Sequence, residues 1–397
     1  GIRFVPTHPK CDEALEWMGF EARKVIMEVL DDAINDTTAK VSVIAYDLSE
    51  AAIVNKLVKL GNRVRVIIDD DGDHKKRGSG ENQAEKLLKA SAGAANVKRQ
   101  HMGTLQHNKM IIVDGKRKIA IGGSTNYSWR GLFVQSNNAV IVEGKTAIAP
   151  FLDAFNNYWN IKNEVAKFSG TPSAKWCDLK LKGVRASVSF SPHNTTNAML
   201  DSIARDLSST KENLFFSLAF LSITPGAIKE AIKKIKKDDT VFCYGLADKK
   251  VGGLELTKPD GKVSVVQPRE LKKNVPQAFK QEVTGGSGVR MHNKFLVIDF
   301  NKPTARVYTG SYNFSKAADG KNGENLWLIK DRCIATSYAV ASLAMFDHYH
   351  FRVLQEQAKH AKKEIVLKRP PADKREKAWW EEDYTNKRKI LDRKLFA

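Results

Sequence analysis

The chain has 397 residues and a formal net charge of +20 at pH 7, because 65 Lys and Arg residues outnumber 45 Asp and Glu residues. This length is sufficient for two ordinary domains, each with its own hydrophobic core. The sequence contains no apolar run of about 18 residues, which excludes an ordinary transmembrane helix. The positive charge favours polyanions: nucleic acid, an anionic membrane surface or a phosphorylated ligand.

The amino-terminal residues show no basic and then apolar segment of the kind that opens a signal peptide. We expect that such a peptide was either removed or never present, so localisation stays open between the cytoplasm and secretion. The cysteines lie far apart and form no C-x-x-C pair, so neither a zinc site nor a redox motif is predicted. They are Cys11, Cys177, Cys243 and Cys333.

The hydrophobic pattern alternates between helical and extended segments, and the same order occurs twice. In the first half, helices are predicted over 12–36 and 51–60, and strands over 41–46, 63–69, 110–113 and 118–121. In the second half, helices are predicted over 196–210 and 227–235, and strands over 214–220, 240–245, 295–298 and 305–308. The alternation predicts an α/β fold built from two related halves.

These repeats place a first domain at 1–165, a linker at 166–184, a second domain at 185–355 and a C-terminal tail at 356–397. Gly170, Pro172 and Ser173 are typical of a connecting segment. The tail is basic and contains Trp379 and Trp380. We expect it either to pack its aromatic residues over a domain surface or to contact the substrate by stacking and phosphate contacts.

One short motif occurs once in each half. An H-x-K triplet is followed by four apolar residues, an Asp, and then a G-S-x-N tetrapeptide. The first copy consists of His107-Asn108-Lys109, Asp114 and Gly123-Ser124-Thr125-Asn126, and the second of His292-Asn293-Lys294, Asp299 and Gly310-Ser311-Tyr312-Asn313. The duplication predicts two half-sites that meet in one active centre.

These residue types suit the cleavage of a phosphodiester. One neutral imidazole can attack phosphorus, and the second can donate a proton to the leaving oxygen and later activate water. The lysines would place positive charge on the non-bridging oxygens, and the Asn and Ser side chains would add hydrogen bonds. The predicted catalytic set is His107, Lys109, Asn126, His292, Lys294 and Asn313, supported by Ser124 and Ser311.

The spacing agrees with a site at the edge of a sheet. Residues two apart in a strand face the same side, so the His and Lys of each triplet should project together, and Asn108 and Asn293 should point away. The glycine of each G-S-x-N would let the backbone approach a phosphate closely. Asp114 and Asp299 should lie at the far ends of their strands and fix turns.

The duplicated motif resembles that of single-chain members of the phospholipase D superfamily, over about residues 1–355. The resemblance implies two pseudo-symmetric domains, each a mixed sheet flanked by helices, with the active site at their interface. It also implies a reaction through a phospho-histidine that needs neither a metal nor another cofactor. Because both half-sites are in one chain, a monomer would be sufficient for the chemistry.

The two halves differ at one position that bears on the mechanism. Glu324 follows Asn313 at the same distance at which Asn137 follows Asn126. In relatives, the group at this position often orients the histidine of the opposite half. The resemblance therefore implies that Glu324 orients His107 and that Asn137 supports His292. Since a carboxylate stabilises positive charge on an imidazole, we expect His107 to be the nucleophile.

Several segments give weaker signals. The stretch Asp69-Asp70-Asp71-Gly72-Asp73-His74 lacks the spacing of a calcium loop and is predicted to be a loop near the rim of the cleft rather than a metal site. Residues 248–284 have no counterpart in the first half and are a candidate region for specificity. His74 and the other histidines outside the motifs are expected on the surface or in the core.

The catalytic residues do not choose between lipid and nucleic-acid substrates. The net charge favours a nuclease, and the stretch from Gly310 to Ala318 with Asn322-Gly323-Glu324-Asn325 is similar to bacterial endonucleases and mitochondrial members of the superfamily. The alternative is a phospholipase D whose positive surface attracts anionic headgroups. A non-catalytic binding module is disfavoured because both His, Lys and Asn sets are intact.

Overall fold

A computed structural model describes residues 2, 7–18, 21–193, 198–221, 224, 226–247, 265–266, 291–362 and 369–397. Two mixed sheets organise these residues, one in each half of the chain. The predicted α/β architecture is confirmed. The candidate specificity segment lies outside the described residues apart from its residues 265–266.

The first sheet has the strand order β3-β2-β1-β4-β5-β6. The first three strands run parallel, and each later strand is antiparallel to its neighbour. Its central strands are buried on both faces, as expected for continuous apolar runs covered by helices. The strands are β1 Lys40–Ala45, β2 Val64–Ile68, β3 Val97–Arg99, β4 Lys109–Asp114, β5 Lys118–Gly123 and β6 Ala139–Glu143.

The helices of the first half connect and cover these strands. The Ser79 side chain accepts a hydrogen bond from the Asn82 backbone N–H and so caps the start of α4. Ser128 does the same for α5 through the N–H of Gly131. The helices are α1 Cys11–Met18, α2 Glu21–Asn35, α3 Ala51–Lys59, α4 Gly80–Ala92, α5 Trp129–Phe133, α6 Lys145–Ile161 and α7 Val165–Ser169.

The second sheet repeats this topology and extends it, with the order β11-β10-β9-β12-β13-β14-β8-β7. Its strands are β7 Cys177–Asp178, β8 Arg185–Ser191, β9 Asn213–Leu218, β10 Phe242–Leu246, β11 Val265–Val266, β12 Lys294–Ile298, β13 Arg306–Gly310 and β14 Glu324–Lys330. Its helices are α8 Ala198–Leu207, α9 Gly226–Lys237, α10 Lys316–Gly320 and α11 Arg332–His360, followed in the tail by α12 Glu382–Thr385 and α13 Lys387–Leu395.

The halves share a hydrophobic core. Phe151 of α6 contacts both Phe190 and Trp327 of the second half, at ring-centroid distances of 5.5 and 5.0 Å. Gly122 is required at this boundary, because a Cβ there would lie 2.9 Å from the Trp327 ring. The close approach of Gly122 to Trp327 packs β5 of the first sheet against β14, the strand that begins at Glu324.

The predicted linker is ordered. It contains most of α7 and the short strand β7, which pairs with β8 through Cys177 and Val188. Glycine and proline in this stretch therefore mark tight turns between short elements rather than an unstructured connection.

The described part of the tail packs against the second domain. Phe396 contacts Phe242 and Phe300 at ring-centroid distances of 5.2 and 6.2 Å, and Arg388 pairs with Asp239 at 2.9 Å. These residues lie at the ends of β10 and β12 opposite to Lys294, roughly 15 Å along the strands. The arrangement favours packing over substrate contact for this segment. None of the described helices is long and apolar enough to cross a membrane.

Candidate active site at the interface of the two halves

Two short backbone bridges join the halves beside the H-x-K motifs. Gln106, the residue before His107, pairs with Gly323, and Met291, the residue before His292, pairs with Ser136. The bridges bring the two imidazole rings to a centroid distance of 6.2 Å. Both histidines are buried, with 4% and 5% of their surface exposed. The two predicted half-sites therefore meet in one centre.

The ring of His107 contacts Glu324 from the opposite half, as the sequence predicted. Its Nδ1 lies 2.7 Å from Oε2 of the carboxylate. Ser311 donates to the same oxygen at 2.7 Å, and Asn322 donates to the other at 3.1 Å. Burial raises the pKa of Glu324 to about 7, and Lys109 opposes that shift. A carboxylate with three donors fixes the tautomer of His107 and leaves Nε2 facing away from it.

His292 has the matching contact with an amide. Its Nδ1 lies 2.8 Å from Oδ1 of Asn137, which also accepts a hydrogen bond from Ser124 at 2.9 Å. Burial, the two lysines and His107 hold the pKa of His292 well below its usual range. The pKa of His107 is lowered in the same way by burial and then by the lysines. Both rings are therefore neutral when no anion is bound near them.

Lys109 and Lys294 are almost fully buried, and each ammonium donates to the backbone carbonyl of its own motif histidine. Burial lowers the pKa of Lys109 to about 8, although Glu324 opposes the shift. Burial and then Lys109 lower the pKa of Lys294 well below its usual range. Since each ammonium is buried and Lys109 disfavours charge on Lys294, a bound anion would favour the protonated form of both.

The asparagines of the G-S-x-N tetrapeptides are the remaining predicted catalytic residues. The side-chain Oδ1 atoms of Asn126 and Asn313 are buried without a hydrogen-bond partner among the described residues. An amide oxygen accepts hydrogen bonds, so an unpaired buried Oδ1 indicates a position that a donor such as water completes. Their roles toward a phosphate stay predictions.

The glycines of the tetrapeptides lie close to the neighbouring backbone, whereas their approach to a phosphate stays a prediction. Gly123 and Gly310 have φ angles of 124° and 138°, and a Cβ would lie 2.5 and 2.1 Å from the carbonyl oxygens of Asn138 and Asn325. Glycine is thus required by close approach to the neighbouring backbone, which aligns Ser124 and Ser311 with the orienting residues.

Sequence reasoning missed the function of the middle residue in each H-N-K triplet. Asn325 donates to Oδ1 of Asn108 at 3.1 Å, and Asn138 donates to Oδ1 of Asn293 at 3.0 Å. Both bonds cross between the halves. Asn325 and Asn138, which directly follow the orienting residues Glu324 and Asn137, therefore hold each H-N-K segment to the opposite half. The sequence signal for this contact was an Asn directly after the orienting residue in both halves, in Glu324-Asn325 and in Asn137-Asn138.

The motif aspartates lie at the far ends of their strands. Asp299 accepts backbone hydrogen bonds from Lys211, Glu212 and Asn213 and has a φ angle of 51°. Asp114 contacts Lys118 at 2.5 Å across the turn that follows β4. These positions match a structural purpose in turns.

The acidic stretch that begins at Asp69 is partly buried behind the first half-site. His74 lies between Asp69 and Asp47, with ring nitrogens 2.7 and 3.1 Å from their carboxylates. Possible ligand atoms of Asp47, His74 and Glu81 lie within 4.8 Å of one another. Burial by itself would lower the pKa of His74, but hydrogen bonds to Asp47 and Asp69 outweigh that effect and raise the pKa to about 10. With its proton in place, the His74 ring pairs as a cation with the carboxylates of Asp47 and Asp69.

Comparison with known proteins agrees with this arrangement. A family model described as "Cardiolipin synthase, PLD-like domain" matches residues 30–159 and 203–343, which include both H-x-K motifs and both G-S-x-N tetrapeptides. The two matched regions together span more than half of the chain. The chain belongs to the phospholipase D superfamily.

Individual relatives match less of the chain. A protein named "Phospholipase D" from Rickettsia felis is 51% identical over 47 residues, which are 12% of this chain and 22% of that protein. The corresponding protein of Rickettsia prowazekii is 51% identical over 47 residues, or 21% of its length. The chain therefore aligns with about a fifth of the length of these curated relatives.

Solved structures support the fold over most of the chain. The phosphatidylserine synthase of Haemophilus influenzae matches 84% of this chain and 84% of its own, with 13% identity and a TM-score of 0.51. The polyphosphate kinase of Porphyromonas gingivalis matches 94% of this chain and 54% of its own, with 10% identity and a TM-score of 0.54. At these identities, the likeness is one of fold.

Proposed function

We propose that the chain hydrolyses phosphodiester bonds through a covalent phospho-histidine on His107, with His292 as the general acid and base. The observation that carries this assignment is the asymmetric pairing across the interface. A carboxylate, Glu324, faces the Nδ1 of His107, whereas an amide, Asn137, faces the Nδ1 of His292. A carboxylate stabilises the positive charge that forms on an attacking imidazole, and an amide does so less.

The reaction proceeds in two displacements. The Nε2 of His107 attacks phosphorus, the bond to the leaving oxygen breaks, and His292 gives its proton to that oxygen. His292 then accepts a proton from water, the water oxygen attacks phosphorus, and the bond to His107 breaks. The products are an alcohol and a phosphomonoester. Lys109 and Lys294 stabilise the negative charge on the non-bridging oxygens throughout.

Among phosphodiesters, nucleic acid is the proposed substrate. The support is the net charge of +20, since phosphate contacts supply most of the affinity of proteins for nucleic acid. Phospholipid is the second candidate, because the short curated matches are to proteins named "Phospholipase D". Both half-sites lie in one chain, so the proposed chemistry needs no dimer, and no step requires a metal.

A parallel assay with EDTA present separates these candidates. Plasmid, single-stranded DNA, RNA and phosphatidylcholine vesicles are offered to the wild type and to His107→Ala. We expect cleavage of nucleic acid by the wild type, no release of choline, and no turnover by the variant. Release of choline alone would establish the phospholipase instead. Loss of all activity on chelation would contradict the metal-independent mechanism.

The pH dependence should differ between kcat/KM and kcat. His292 must hold a proton to act as an acid, and its protonated fraction falls as pH rises through its pKa. In the free enzyme that pKa is well below 6.5, so kcat/KM should decline already in mildly acidic solution. A bound diester anion raises the pKa, so kcat should persist to higher pH. Steady-state rates with a dinucleotide test this, and coincident profiles would count against it.

A further inference from the structure

Among the residues that the structure describes, the first half-site contains a carboxylate at a position where the second has a different residue. The backbone N–H of Tyr46 donates to the carbonyl of Asn108, and that of Ala219 donates in the same way to Asn293. Asp47 and Phe220, the next residues along the chain, therefore occupy equivalent positions. One half thus has an acid beside its H-x-K motif where the other has a phenyl ring.

Asp47 is held by two hydrogen bonds. Its Oδ1 lies 3.1 Å from the Nε2 of His74, and its Oδ2 accepts from the Ser128 hydroxyl at 3.0 Å. The opposite ring nitrogen of His74 lies 2.7 Å from Asp69, whose second oxygen accepts the backbone N–H of Gln106 at 2.6 Å. The network therefore runs from Asp47 to the residue that directly precedes His107.

The Tyr46 ring connects this network to the catalytic groups. Its centroid lies 4.5 Å from the ring of His74 and 4.7 Å from the ring of His107, both in edge contacts. The ammonium of Lys109 lies 4.7 Å from the same centroid. A ring in this position restricts both His107 and Lys109, and it attracts the ammonium through a cation–π interaction.

The charges around Lys109 agree with these contacts. Burial lowers its pKa, and negative charge on Glu324, Asp47 and Asp69 opposes that effect. Lys294, in contrast, gains support from Glu324 and is repelled by Lys109. Burial by itself would raise the pKa of Asp47. The hydrogen bond from His74 and the positive charge of His74 outweigh that effect, so the pKa is lowered and Asp47 stays ionised. The charged and titratable groups that act on or face Lys109 are His107, His292, Lys294, Glu324, Asp47 and Asp69.

We propose that Asp47, with His74 as its counter-ion, is a positioning residue that holds Tyr46 against the nucleophile and keeps Lys109 a cation for the phosphate. The proposal rests on the proposed function, because it assigns a task within the same phosphoryl transfer. It gives the two half-sites a second chemical difference, besides that between Glu324 and Asn137. It also gives Lys109, rather than Lys294, the larger share of anion binding above neutral pH.

The test compares pH profiles of kcat/KM for the wild type and Asp47→Asn, using bis(p-nitrophenyl) phosphate. Its charge stays constant over the range studied, and its leaving group departs without a proton from His292. Asparagine can keep both hydrogen bonds, from His74 to Oδ1 and from Nδ2 to the Ser128 oxygen, so folding should be retained. Lys109 must be protonated, and loss of the Asp47 charge makes it lose its proton at lower pH. The alkaline limb of the profile, where kcat/KM falls as pH rises, should therefore shift to a pH lower by roughly one unit. At a fixed pH on that limb, kcat/KM should be about tenfold lower.

Two further variants make the result specific. Asp47→Glu keeps the charge and should restore the wild-type limb. Asp206→Asn removes a partly buried carboxylate bonded to Arg306 and Tyr308, at the end of the second sheet away from His292. It should lower the melting temperature without moving the limb. Should Asp47→Asn fail to fold, Asp47→Glu against Asp47→Gln gives the same comparison of charge.

The outcomes separate the two proposals. If the wild type does not turn over the diester or any natural substrate, the proposed function fails. If the wild type is active and the limb of Asp47→Asn coincides with it, the assignment of Asp47 is wrong while the proposed function stands. A limb that moves equally in Asp206→Asn would also overturn the assignment, because general destabilisation would then explain the shift.

Discussion

His107→Ala is expected to abolish release of p-nitrophenolate from bis(p-nitrophenyl) phosphate, whereas His292→Ala should release about one equivalent per enzyme and then stop. Without His107 there is no nucleophile, and the rate should fall at least roughly 10⁴-fold. Without His292 the first displacement can still occur, because p-nitrophenolate leaves without a proton. The second displacement then fails, since no base activates water.

The measurement is a rapid-mixing burst followed by acid-free trapping and mapping of the phosphorylated peptide. The His292→Ala protein should carry a p-nitrophenylphosphoryl group on His107. The same group on His292 in the His107→Ala protein, with a burst in that variant, would reverse the assignment. His193→Gln is the control for replacing a buried histidine outside the active site. His193 belongs to neither H-x-K motif and bonds instead to Asp319 and Ser189, so this variant should keep full turnover.

Much of the fold follows from patterns that the sequence displays twice. The apolar strands around Val43 and Phe216 and the helices that follow them are local features, set by periodicity and by the Leu-Ser pairs after each strand. The antiparallel addition of β8 and β7 to β14 is not local. It depends on pairing between residues that are far apart in sequence, such as Ser191 with Glu324, which periodicity does not report. Pro150 inside α6 also obscures the helical pattern there.

The site could be predicted where two equivalent positions carried complementary chemistry. The contacts of His107 with Glu324 and of His292 with Asn137 were expected from the family resemblance, in which the residue at this offset after the G-S-x-N asparagine orients the histidine of the opposite half. The position of Asp47 was not, because its significance comes from His74 and Ser128, which are brought to it by folding alone. A lone acid after a strand has no pattern that distinguishes it from a solvated one.

Glu324→Gln is the second variant with a large expected effect. Glutamine can accept the Nδ1 proton of His107, but it cannot stabilise the charge that forms when His107 attacks phosphorus. The substitution also removes negative charge from beside Lys109, which is buried and whose pKa Glu324 supports. We expect kcat to fall roughly 10²–10⁴-fold, as for the orienting carboxylate of a nucleophile–histidine–acid triad. Burst kinetics should show slower phosphoenzyme formation.

The amide at the equivalent position supplies a matched control and a stricter test. Asn137→Gln alters the side chain beside His292 without changing its charge, and it should slow the second displacement more than the first. Combining Glu324→Gln with Asn137→Asp exchanges the two orienting groups, so trapped phosphate should appear on His292 at the expense of His107. If the combined variant phosphorylates only His107, the choice of nucleophile does not depend on the orienting carboxylate. A further asymmetry among the described residues would then be a candidate, because Asp47 and Phe220 differ at equivalent positions beside the two H-x-K motifs.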